Sequence, residues 1–280
     1  MTDPYLAGRF VRPTNRHYAS GIHDDAVATD LGLRGGTIAG SAHLDTFCPL
    51  AIHEFGNRWF SEGNVSLYFR HATIDDEAVQ ALINPTTREA IVKTEEGTIV
   101  GEGTIGLTSN SSALRTRDLR HDPSNARILK NLSQGDWSDR TRVSIDSQRV
   151  VQRCRDGLIT EVHDRFFGPT ADGVAIVPFS AIVDAANDAA TTLLGEHLSD
   201  AVGMWGAIEV GLVDGPIEPD VEYEASLSIP SIGDSPQTEL MWNDITLHHL
   251  ATGKPAATLR ILSRFMKASS PLWTVYDQIK

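Results

Sequence analysis

Cysteine is scarce in this chain. Only Cys48 and Cys154 occur in 280 residues, and neither belongs to a C-x-x-C pair. This excludes a disulfide framework and a cysteine-built metal centre, and both thiols are expected to be reduced and structural. No uninterrupted apolar stretch reaches the roughly 18 residues of a membrane-spanning helix, and the opening "MTDPYLAGRFVRPTNRHY" has no apolar core of a signal peptide. A cytoplasmic protein with no membrane partner is the expectation. Basic residues are in deficit, 24 against 37 acidic, for a net charge of −13. Nucleic acid is thereby excluded as a partner, because phosphate neutralisation needs a concentrated basic face. No G-x-G-x-x-G leads from a strand into a helix and there is no Cys/His cluster at ligand spacing, so neither a nucleotide redox cofactor nor a metal is expected.

What is present is an ordinary globular composition, 41% hydrophobic with a mean hydropathy of −0.18. It suffices for one large core or for two domains of about 140 residues each. Asp24 is a candidate N-cap for a short helix from Asp25 to Leu31, stopped by Gly32. Leu44, Phe47, Leu50, Ala51 and Phe55 recur at helical spacing, which predicts a long helix over Ile38–Phe55 with a kink at Pro49. After Gly63, "NVSLYFRHATI", "AVQALIN", "REAIVKTEEG" and "TIVGEGTIGL" alternate β-branched and aromatic residues with Gly, Pro and Asn breaks, the pattern of an antiparallel sheet.

From Ser109 to Arg140 the composition turns polar and aperiodic, a connecting segment with one short helix. The order then recurs: "GLITEVHDRFFG" reads as a strand, Val177–Leu194 as a second long helix, and a strand series runs from Gly203. Ile38 precedes Gly63 by 25 positions, and Ile176 precedes Gly203 by 27. A helix followed by a meander, occurring twice, predicts an N-terminal unit over 1–108, a linker over 109–140 and a C-terminal unit over 141–280, each with a central helix wrapped by a curved antiparallel sheet.

On these residues the chain resembles the MaoC-like, R-specific enoyl-CoA hydratases of the hot dog fold. "Ile22-His23-Asp24-Asp25-Ala26-Val27-Ala28" is similar to the histidine end of the family signature, and "Leu31-Gly32-Leu33" with "Thr37-Ile38-Ala39-Gly40" to the remainder of that signature. The motif match covers about thirty residues, and the repeated order of elements extends the likeness toward a double hot dog, an α+β fold. The chain departs from the pattern at three places. Tyr18 stands where the family has its catalytic aspartate, Ser20-Gly21 where it has Asn-Pro, and Gly40-Ser41 where it has His-Gly.

The resemblance implies hydration or dehydration of an acyl thioester carried on coenzyme A or an acyl carrier protein, with no cofactor besides the carrier, in a monomer or homodimer. Such chemistry needs a proton carrier near neutral pKa and donors for the thioester oxygen. His23 would be the acid/base. Backbone amides around Gly40 and Ser41, at the start of the first central helix, would hold the oxygen, with Tyr18 and Arg34 at the substrate. The carboxylate has several candidates. Asp24 or Asp25 is adjacent, though Asp24 is committed if it caps; Asp45 lies on the first central helix; Asp184, in an Asp-Ala-Ala like that of polyketide dehydratase domains, is favoured. Asp45 would instead activate water in a hot dog thioesterase, and an inert acyl-binding or assembly subunit is a third reading. Gly35-Gly36 beside Arg34 is either a phosphate cradle or a plain turn. His43 and His53 are ten apart and read as satisfied or surface side chains, and His248-His249 alternate across a strand.

Overall fold

The computed structural model describes residues 4–15, 20–107, 112–119 and 122–273. Tyr18 lies outside them. Ten strands, all paired antiparallel, form one sheet: β1 (Leu6–Val11), β2 (Asn64–Phe69), β3 (Val79–Ile83), β4 (Glu89–Thr94), β5 (Ile99–Gly106), β6 (Gly135–Ser144), β7 (Gly203–Leu212), β8 (Glu222–Asp234), β9 (Thr238–His249) and β10 (Pro255–Met266). Their order is β1-β3-β4-β5-β2-β7-β10-β9-β8-β6. The order is its own mirror about β2 and β7, whose registers run from Asn64 opposite Gly211 to Tyr68 opposite Ala207. The repeat in the sequence is thus a repeat in topology, with the two halves fused through their innermost strands.

Strand alternation decides which face is which. Val65 and Leu67 of β2 and Ile208 and Val210 of β7 point into the main core, which they share with Val183 and Ala186 of the helix Phe179–Leu194. The intervening Ala207, with Trp242 and Leu262, packs on the other face beneath Leu114 of the connecting segment. That segment is held down by two buried carboxylates. Glu209 of β7 accepts from Asn64 Nδ2, Arg115 Nε and Ser112 Oγ. Glu239 of β9 accepts from the amides of Arg127, Ile128 and Leu129 and from Trp273 Nε1.

The helices differ from expectation in several places. α1 (Asp25–Asp30) starts as the sequence predicts: Asp24 Oδ1 accepts from the amides of Ala26 and Val27, both at 3.0 Å. The predicted helix over Ile38–Phe55 is not continuous. Ile38 is extended, its amide donating to Thr73 O, and the remainder is α2 (Ala42–Asp45) and α3 (Cys48–Phe55), followed by α4 (Trp59–Glu62). Pro49 has no N–H to return to the residue 45 carbonyl and its ring crowds that carbonyl, so the expected kink is a full break; nearby, Thr46 Oγ1 donates to the His43 carbonyl (2.7 Å). The stretch Gly157–Gly168 is not a strand: it holds a single turn at Asp164–Phe166 between two glycines of positive φ. α5 (Ser147–Arg155), with Asp146 as its N-cap, has no counterpart in the sequence-based expectation. The second half does carry a long helix, α6 (Phe179–Leu194). β6 begins at Gly135, inside the stretch whose composition reads as a linker.

Candidate active site

A cavity of about 880 Å³ opens where the two halves meet. Its walls are the segment from Ile22 to Gly40, the end of β2, the C-terminal half of α6, and β7, β9 and β10. Among the described residues the titratable side chains on its lining are His23, His43, Tyr68, Arg70, His71 and Arg264; no carboxylate is among them.

His23 closes a one-turn helix, Gly21–His23, and is placed by a clamp between two chain segments. The Thr37 amide donates to Ile22 O (2.8 Å), while Asn15 Nδ2 donates to both His23 O and Gly36 O. A Cβ on Gly36 would stand 2.4 Å from His23 O, so only glycine permits the approach. The Gly36 amide is also spent, on Asp25 Oδ1 (2.7 Å). The Gly35-Gly36 pair is therefore a packing turn and not a phosphate cradle. Within the clamp, His23 Nδ1 lies 2.6 Å from Thr37 O. A carbonyl can only accept, so Nδ1 carries the proton of the neutral ring and Nε2 carries the lone pair.

His43, on α2, is almost fully buried, with Nε2 3.0 Å from Thr73 Oγ1 and Nδ1 without a partner. Burial lowers its pKa to about 4, partly opposed by Glu77. It shares the cavity lining with His23, which makes it a functional candidate that its spacing in the sequence does not reveal. His53 is exposed. His248 and His249 have separate partners, Ser226 Oγ and Asp214 O, and neither is on the cavity lining.

Gly40 lines the cavity, and a Cβ there would meet the Phe69 ring at 2.8 Å. The helix behind it, α2, has four residues, so it contributes far less dipole than the long helix expected here. Ser41 is fully buried behind Gly40 and donates to Asp184 Oδ1 (3.1 Å). Arg34 is engaged with Glu77 (2.9 Å) and with Ala72 O. Asp24 is committed to its cap.

The two remaining carboxylates meet each other's helices. Asp184 pairs with Arg153 of α5 (2.7 Å) and lines a smaller cavity of about 270 Å³ between β6, α5 and α6, away from His23. Asp45 Oδ1 accepts the Ser180 amide (3.0 Å) at the start of α6. The pattern behind this is a recurrence, Ser41-Ala-x-x-Asp45 and Ser180-Ala-x-x-Asp184. The serine of each half bonds the aspartate of the other, which staples α2 to α6.

Burial raises the Asp45 pKa to about 6, against the opposing pull of the Ser180 hydrogen bonds and Arg153. A carboxyl raised in the fold binds more protons there than in the unfolded chain, so its contribution falls as pH climbs from about 4 to about 6. His43, lowered in the fold, acts oppositely: its contribution is complete above about 6.5 and is lost as pH falls toward 4. Each shift corresponds to roughly 3 kcal/mol, and the two largely cancel. Asp45→Asn, which keeps an acceptor for the Ser180 amide, is expected to unmask the histidine. Relative to wild type, the variant should gain up to about 3 kcal/mol between pH 4 and pH 7 in urea unfolding; a pH-independent difference would show that Asp45 does not titrate in this range.

The sequence matches no family profile and no curated protein significantly. Solved structures do match, over nearly the whole chain. A MaoC domain protein from Chloroflexus aurantiacus, described as a dehydratase, aligns at 13% identity over 94% of each chain with a TM-score of 0.57. A MaoC-like dehydratase aligns at 12% identity over 93% of this chain and 97% of that one, TM-score 0.53. A double hot dog protein from Mycobacterium tuberculosis, described as essential for bacterial survival during infection, aligns at 10% identity over 93% and 95%, TM-score 0.55. The chain is a double hot dog protein, and its fold is the one found in MaoC-like dehydratases.

Proposed function

We propose that the protein adds water to, or removes it from, an acyl thioester, with His23 as the proton carrier. The observation that carries this reading is the placement of His23: Nδ1 lies 2.6 Å from Thr37 O on the lining of an 880 Å³ cavity, which puts the neutral ring's proton on Nδ1 and makes Nε2 its basic atom. In dehydration, Nε2 removes the C2 proton of a 3-hydroxyacyl thioester, and the C2–H pair becomes the C2=C3 bond as the C3–O bond breaks. The imidazolium then delivers that proton to the departing hydroxyl, which leaves as water. Hydration is the reverse. One base suffices when hydrogen and hydroxyl leave from the same face. The Gly40 backbone amide, on the lining, would stabilise the charge that develops on the thioester oxygen. Arg264 brings positive charge to the lining of a chain of net charge −13, which suits the phosphates of coenzyme A or of a carrier protein's pantetheine arm.

Asp184 and Asp45 are assigned here to the staple between α2 and α6. Asp184→Asn and Asp45→Asn test this, assayed with a trans-2-enoyl-CoA beside thermal unfolding. Both are expected to keep kcat/KM within about tenfold while lowering or reshaping stability. A loss of about 10² or more with Asp184→Asn, in the range of general acid–base catalysis, would make Asp184 the second proton carrier. The same loss with Asp45→Asn, accompanied by free thiol in the wild type, would favour thioester hydrolysis.

A further inference from the structure

The cavity carries two side chains on each of which the fold leaves one buried polar atom unpaired. His43 Nδ1 and Asn243 Oδ1 are both buried without a partner. Their residues are each 2% exposed, and both sit on the cavity lining, His43 from α2 in the first half and Asn243 from β9 in the second. A buried polar atom left unpaired costs about 1–3 kcal/mol, and such atoms are rare enough in folded proteins that each asks for a reason. Nothing in the packing supplies one for Asn243. It stands opposite Ile261 on β10, and Met241 on the same face is also buried. An aliphatic residue there would leave no polar atom unpaired.

We propose that His43 and Asn243 bind the 3-hydroxyl of the substrate, the oxygen that is lost as water in dehydration and gained in hydration. The proposal rests on the hydratase reading above and adds to it the groups that select a hydroxylated acyl chain. A hydroxyl both donates and accepts, which matches an imidazole nitrogen and a carboxamide together. His43 is suited to holding the oxygen and not to protonating it. Its burial keeps it neutral, and a neutral imidazole surrenders its remaining proton too reluctantly to act as an acid, so the proton must come from His23. His43 and Asn243 fix the C3–O bond in the orientation from which it breaks.

Binding reads this out without turnover, in protein carrying His23→Ala so that substrate is not consumed. Calorimetric titration with 3-hydroxybutyryl-CoA and with butyryl-CoA, which lacks the hydroxyl, is expected to show a preference of several-fold to about tenfold for the former, the scale of one or two hydrogen bonds. Adding Asn243→Leu or His43→Leu should bring the two affinities close to equality. Asn243→Leu should also leave the melting temperature unchanged or higher, since it removes an unpaired polar atom. A preference that survives both substitutions overturns the proposal, as does its absence in the parent. A melting temperature lowered by Asn243→Leu would make Asn243 a structural residue and have the same effect. Failure to bind either thioester would remove both the proposal and the reading beneath it, whereas equal binding with turnover intact would remove the proposal alone.

Discussion

His23→Ala is expected to lower kcat/KM for an enoyl or 3-hydroxyacyl thioester by about 10² to 10⁴, the usual contribution of a positioned acid–base group. The fold should survive, because the ring is only half-buried and its contact with Thr37 O lies within its own clamp. The backbone bonds that build the clamp, from Thr37 to Ile22 and from Asn15 to His23 O, do not involve the ring. His23→Gln should be nearly as inactive as the alanine variant, since an amide retains hydrogen bonding without basicity. If either variant keeps near wild-type turnover of a thioester that the wild type processes, His23 is not the proton carrier.

Arg115→Met is expected to destabilise the protein by about 3 kcal/mol, the lower end of what breaking a buried ion pair costs. Glu209 is completely buried and Arg115 supplies its charge partner at 3.1 Å. The same guanidinium reaches Asp244 at 3.1 Å, which Arg260 holds in turn with two hydrogen bonds. Removing Arg115 leaves a buried carboxylate with only the neutral donors Asn64 and Ser112. The double variant Arg115→Met, Glu209→Gln should recover part of the loss, as coupled neighbours do. Urea unfolding of the two single variants and the double variant measures the coupling, and turnover per folded molecule should stay close to wild type because this network lies on the sheet face opposite α6. A single-variant cost under about 1 kcal/mol, the surface-pair range, would mean that the connecting segment is not anchored there.

Local signals are legible in the sequence and non-local ones are not. Asp24 can be read as a cap because capping joins residues two and three apart. The strands of the first half declare themselves by alternation, and the recurrence of Ile38 to Gly63 in Ile176 to Gly203 anticipates the duplicated topology of the sheet. The continuous first helix fails at Pro49: the proline is legible, but whether it kinks or breaks the helix is set by the packing of α2 and α3, which the local pattern does not contain. α5 escapes a reading by periodicity although Asp146 carries the same capping chemistry as Asp24. Its only two buried apolar side chains, Val150 and Cys154, give a weak periodic signal. The site divides in the same way. His23 is visible through its motif, but its tautomer depends on a carbonyl fourteen residues away. Asp184 looks catalytic by its neighbours, and Arg153, 31 residues earlier, ties it into an ion pair. Asn243 has no local mark at all; its position on the cavity exists only once β9 is placed against β10.

Whether this double hot dog moves water across a carbon–carbon double bond can be read by following two signals in one reaction. A series of trans-2-enoyl-CoA substrates of increasing chain length is mixed with the wild-type protein, and the enoyl thioester absorbance and the free thiol are read together. For at least one chain length the enoyl absorbance should fall to an equilibrium value while no thiol appears, and His23→Ala should slow this fall. Thiol released in step with substrate loss, or no change in either signal across the series, would contradict the proposed reaction.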